Sequence, residues 1–171
     1  MNINQFNLKD KESIIINNPS GFKRLKEEKT EINLDLQIEN CVKIVMINGK
    51  LNTDLSDQIP ENYHSDSINN SNKESLSKVA CFKHPVVTNN TENFKNWLYI
   101  ESKQEHPKPI YIINYLYNND TPTVAFPRIF IQCNKNSSLK VIEHTVSSNH
   151  SKLLNNYVTE INCDKNSKLE Y

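Results

Sequence analysis

From Trp97 to the C-terminus, short apolar or alternating stretches are separated by turns of Asn, Ser, Asp and Pro. This pattern predicts β-strands over residues 97–102, 110–117, 128–133, 139–146, 157–163 and from 169 onward. The stretch Ile110-Tyr-Ile-Ile-Asn-Tyr-Leu-Tyr117 is nearly all apolar, as expected of a strand covered on both faces. Residues 104–109 and 118–122, each with proline, predict turns.

One unit recurs inside this region. Ile131-Gln-Cys-Asn-Lys-Asn-Ser-Ser-Leu139 aligns without a gap on Ile161-Asn-Cys-Asp-Lys-Asn-Ser-Lys-Leu169, thirty residues later, with Ile, Cys, Lys, Asn, Ser and Leu shared. A strand–turn–strand unit at fixed spacing predicts stacked β layers, because no single unit buries its apolar face alone. The turns lack glycine. Asn136 and Asn166 are therefore expected at the left-handed position, which Asn tolerates better than other non-glycine residues. Ile129, Ile131 and Cys133 share one strand face, as do Ile161 and Cys163. Stacking puts Cys133 and Cys163 at equivalent depth in one core.

The N-terminal part is more mixed. Residues 20–28 predict a short helix capped by Ser20, and the strict alternation from Ile32 to Ile38 predicts a half-buried strand. Lys43-Ile-Val-Met-Ile-Asn48 is an apolar strand that runs into an Asn48-Gly49 tight turn, with a partner strand starting at Lys50-Leu51. Residues 56–78 are polar and predict a surface connection, with a short helix near 73–80. The chain therefore divides into an α+β region, 1–95, and a β region, 96–171.

Composition narrows the function classes. The 171 residues carry 20 basic and 20 acidic side chains and no formal net charge. No single-signed field favours nucleic acid or a membrane surface. Two glycines and two arginines (Arg24, Arg128) exclude a Gly-rich phosphate loop and weaken a phosphate clamp. Asn, Lys and Ile are over-used, as A+T-rich codons would produce, so sequons such as Asn89-Asn-Thr91 arise by chance. The polar N-terminus carries no signal sequence, and no apolar stretch approaches the roughly 20 residues that span a bilayer. A cytoplasmic protein is expected, with free thiols at Cys41, Cys81, Cys133 and Cys163, which form no C-x-x-C.

Candidate chemistry is sparse. Cys133 and Cys163 read as small buried hydrophobes. His144, on the opposite parity from Val141 and Glu143, reads as a part-exposed strand histidine bonded to a neighbouring strand. His64, His84 and His106 fall in loops, two of them before proline. Glu143 and Glu160 would be a carboxylate pair only by analogy with polysaccharide-acting β-helices. They read as charges on an outer face. No catalytic, cofactor-binding or metal-binding residue is assigned.

Val141-Ile-Glu-His-Thr-Val-Ser147, the polar loop after it, and the Tyr157–Cys163 strand resemble the start of the β-helical core of the SufD family. The upstream Lys43-to-Asp57 stretch, with Asn48-Gly49-Lys50 and Leu55-Ser56-Asp57, is similar to that family's apolar strand, turn and "LSD" segment. The Lys108-Pro109-Ile110 strand entry also fits. The resemblance covers roughly residues 43–171 and implies a mainly β fold, the first coils of a right-handed parallel β-helix after an α+β region. It further implies a non-catalytic scaffold subunit of the SufBCD iron–sulfur cluster assembly complex, with SufB and SufC as partners. No cofactor would be bound by this segment, since the full complex assembles the cluster transiently. Family members are longer, so the SufC-docking segment is expected beyond residue 171, and the stretch read here would be marginal alone. The competing expectation is a self-contained β-helical protein that binds or acts on carbohydrate.

Overall fold

A computed structural model of the chain describes residues 38–58, 79–80, 83–117, 122–148 and 153–171. The helix expected over 20–28, the strand expected from Ile32 and most of the polar connection lie outside them. The described part is mainly β, built on parallel pairing. Ten strands form: β1 (Val42–Ile47), β2 (Lys50–Asn52), β3 (Leu98–Ser102), β4 (Ile110–Leu116), β5 (Thr123–Ala125), β6 (Arg128–Cys133), β7 (Ser138–Ser147), β8 (Leu153–Asn155), β9 (Val158–Cys163) and β10 (Lys168–Glu170). Among the described residues one helix, α1 (Pro85–Asn93), precedes β3.

The strands make a five-stranded sheet, β10-β7-β4-β1-β2, a three-stranded sheet, β3-β6-β9, and the pair β5-β8. Parallel partners recur at a near-constant interval. Leu98 pairs with Ile129, Arg128 with Val158, Ile110 with Val141, Ser138 with Lys168, and Thr123 with Leu153, all 30 or 31 residues apart. The first step differs, with Val42 on Ile110, 68 residues on, and α1 lies within that longer excursion. The five-stranded sheet thus takes strands from both sides of residue 95.

Alternation decides what each sheet buries. Ile44, Met46, Ile110, Ile112, Leu139 and Val141 point from the large sheet into one core. They meet Leu98, Ile100, Ile129, Ile131 and Cys133 from the three-stranded sheet. Outside the large sheet, Val45, Tyr111 and Ile113 are covered by Cys41, Ile47, Leu55 and Val146. That second cluster is why β4 is apolar on both faces, as its sequence predicts. Outside the small sheet, Trp97, Tyr99 and Phe130 pack with Phe94.

The turns follow the sequence closely. Asn136 and Asn166 take φ of 60° and 62°, and Asn48 and Gly49 take 49° and 85°. Ser137 and Ser167 each bond back to the carbonyl three residues earlier, through both backbone N–H and hydroxyl, so the two copies of the unit close identically. Three elements were not foreseen. No element was expected over residues 85–93, yet Pro85 at the first helical turn starts α1, since its missing N–H costs nothing there. The three-residue strands β5 and β8 are too short to give a periodic signal.

Candidate functional site

Two polar clusters interrupt the apolar framework. The first lies outside the three-stranded sheet, under α1. Arg128 and Glu160 are 0% and 2% exposed and form an ion pair between β6 and β9. The Arg128 guanidinium also donates to Asn90 Oδ1 at 3.0 Å, and its cationic carbon sits 5.6 Å from the Phe94 ring centre. Glu160 accepts from the backbone N–H of Ala80 at 3.0 Å. Asn90 donates to the carbonyls of Pro127 and Asn156, and Asn156 donates to Asn89. Both charges are paired with each other, as burial demands, although Arg128 Nε and Asn156 Oδ1 have no hydrogen-bond partner among the described residues. The network fastens α1 and residues 79–80 to the sheet. Glu160 therefore does sit on an outer face, but in a buried pair; the expectation of a solvated charge fails because α1 covers it.

The second cluster is internal. Glu143 is in register with Ile112, on the face that carries Val141 into the core. Its carboxylate accepts from Asn114 Nδ2 at 2.6 Å, from Thr159 Oγ1 at 3.5 Å and from the Tyr171 hydroxyl. Burial raises its pKa above the ordinary carboxylate value, against the pull of these donors. The outer-face expectation for Glu143 is thus corrected, since the parity that puts Val141 inside puts Glu143 there too. The two carboxyls also cannot act together. Thr159, which reaches Glu143, and Glu160, which reaches Arg128, are consecutive on β9 and so face opposite sides of the sheet.

Cys133 and Cys163 are register partners, as the repeat predicts. Cys133 is fully buried, but Cys163 is exposed, because β9 has a neighbour on one side only. The expectation of two buried thiols holds for the first alone. Burial, and then the neighbouring Cys163, push the Cys133 thiol up to about 12. His144 is exposed, and its Nδ1 shares a 2.9 Å hydrogen bond with the Tyr111 hydroxyl on the adjoining strand. His84 is the residue before α1, and the backbone N–H of His106 donates to the Ser138 carbonyl. Cys81, His64 and His150 lie outside the described residues.

The Leu55-Ser56-Asp57 segment has a definite mechanical role. Lys43 N–H donates to Asp57 Oδ2 at 2.7 Å, and Asp57 N–H returns a bond to the Lys43 carbonyl. Val45 N–H donates to Ser56 Oγ at 2.8 Å, and the hydroxyl donates on to the Asn52 carbonyl. Leu55 packs on the outer cluster. These side chains occupy donors of β1 that would otherwise form an open edge. Asn48 ties the adjoining turn to β4, exchanging side-chain bonds of 3.0 Å with the backbone of Tyr117.

No protein-family model matches this chain, and no curated protein matches it either. Among the described residues, no three His, Cys, Asp or Glu side chains converge on a metal-sized site. No described helix is long and apolar enough to cross a membrane.

Proposed function

We propose that this chain is the opening part of a right-handed parallel β-helix in a SufD-like subunit, a non-catalytic scaffold for iron–sulfur cluster assembly with SufB and SufC. The observation that carries the reading is the 30- or 31-residue interval that recurs between parallel partners in all three sheets after the first step. A solenoid has that property, each layer resting only on its neighbours. The edge cap at the first strand adds support. It is made by the Asn48-Gly49 and Leu55-Ser56-Asp57 segments that carry the resemblance. A stack of in-register strands resists bending, which suits a subunit that passes force from an ATPase to an assembly site.

The catalytic version of the carbohydrate reading gains no support from Glu143 and Glu160, since Glu143 on β7 faces Thr159 in the interior and Glu160 on β9 faces Arg128 on the outer side of the other sheet. Co-purification separates what remains. The protein, tagged at its native locus, is expected to retain SufB and SufC through stringent washing. Recovery without either, or specific retention on a glycan array, overturns the proposal.

A further inference from the structure

We propose that Asn48 is a deamidation site whose reactivity is set by its clamp on Tyr117, so that modification follows opening of the β1–β2 turn. The sequence supplies the reactants. A glycine nitrogen is the least hindered attacker on a preceding asparagine amide, and Asn48-Gly49 is the one Asn-Gly pair in the chain. The fold restrains both. Asn48 Nδ2 donates to the Tyr117 carbonyl at 3.0 Å, and Tyr117 N–H donates to Asn48 Oδ1 at 3.0 Å. Both ends of one amide are thus fixed on the backbone of one residue, and turning that amide toward Gly49 breaks both bonds. Asn48 N–H is bonded in turn to the Tyr115 carbonyl at 2.9 Å, and Asn48 and Gly49 take φ of 49° and 85°. Gly49 is buried against the backbone of Pro127, which limits its own movement.

The chemistry needs only water. Once the turn opens, Gly49 N gives its proton to hydroxide and attacks Asn48 Cγ. The N–Cγ bond forms, the Cγ–Nδ2 bond breaks, and Nδ2 leaves as ammonia after taking a proton from water. Water then opens the cyclic imide at one or other of its carbonyls. Attack at Cγ leaves an aspartate in the chain, and attack at the backbone carbonyl leaves an isoaspartate. An amide nitrogen has been exchanged for a carboxylate oxygen, and nothing is oxidised or reduced.

Either product loses the clamp. A carboxylate cannot donate to the Tyr117 carbonyl, and it sets a negative charge against that oxygen. Isoaspartate also adds a backbone carbon inside the turn, across which Ile47 and Lys50 are register partners. This turn closes the antiparallel cap on β1, so its loss uncovers an edge on which another strand can pair. Each opening of the cap is thereby given a chance to become permanent.

The full chain, held at mildly alkaline pH in buffer and in urea, tests this by peptide mapping with heavy-oxygen water as the label. In urea Asn48 should be the first asparagine converted. In buffer its conversion should be roughly thirtyfold slower, the factor that two ordinary hydrogen bonds supply. Asp57→Ala, which loosens β1 without touching Asn48, should speed conversion in buffer and leave the rate in urea unchanged. Asn48→Asp carries the product's carboxylate from the start, and should unfold at a lower midpoint and scatter more light with concentration than the parent. Equal rates in buffer and urea overturn the proposal, as does another asparagine converting first in urea. So does an Asp57→Ala chain that converts at the parent's rate in buffer, or an Asn48→Asp chain that matches the parent in both midpoint and scattering.

Discussion

Arg128 reaches diagonally from β6 to Glu160 on β9, and the pair is closed off from water by α1. The guanidinium has further partners in Asn90 and the Phe94 ring, and the carboxylate has one in Ala80 N–H. Removing either member strands the other as an uncompensated buried charge. Arg128→Ala and Glu160→Ala are each expected to cost about 3–5 kcal/mol in urea unfolding. The double replacement Arg128→Met with Glu160→Leu should cost less than either single change, since it leaves no orphaned charge.

Glu143 predicts a pH dependence with a definite sign. Burial holds its folded pKa above the ordinary value of 4.5. The folded chain therefore keeps a proton at a pH where the unfolded chain has lost it. Its contribution to stability is full below pH 4.5 and is lost as pH rises through the folded pKa. Glu143→Gln should be more stable than the parent above that pKa, with the difference shrinking toward pH 4.5. Unfolding midpoints measured across that range check it, and a parallel pair of curves would refute it.

Edge capping of β1 rests on two short side chains. Ser56→Ala leaves Val45 N–H without its acceptor, and Asp57→Ala does the same to Lys43. Each is expected to cost about 1–2 kcal/mol. The double variant should also self-associate through the exposed edge, which light scattering at increasing concentration would detect.

Turn positions rank by backbone. Asn136 and Asn166, at φ near 60°, should tolerate glycine, whereas alanine should cost about 1–2 kcal/mol at each. Gly49→Ala should be worse, because its φ is +85° and a Cβ would lie 3.1 Å from the Pro127 Cα. Denaturant midpoints of the three alanine variants give the order directly.

The longer strands from residue 97 onward were legible because each has a buried face, and period-two alternation records burial. Their stacking was legible because the Lys-Asn-Ser turn is spelled twice, at 135–137 and 165–167. Depth was harder to read. Cys133 and Cys163 carry the same local pattern, and only the position of β9 at a sheet margin separates a sealed thiol from an open one. The Arg128–Glu160 cluster was invisible for a related reason. Its members come from positions 90, 128, 156 and 160, and no spacing announces that α1 will close over them. Glu143 could have been placed inside from its parity with Val141, but its charge argued the other way.

Two layers spelled alike can trade places, with β9 settling on β3 where β6 belongs. On the inward side such a slip would pass nearly unnoticed. Ile161 and Cys163 would replace Ile131 and Cys133 beside Ile100 and Ser102. The outward side tells them apart. Phe130 stacks on Tyr99 with ring centres 5.7 Å apart, whereas Glu160 in its place would set an unpaired carboxylate against that ring. The side chains that look least like a repeat thus act as address labels, telling each strand which storey of the stack is its own.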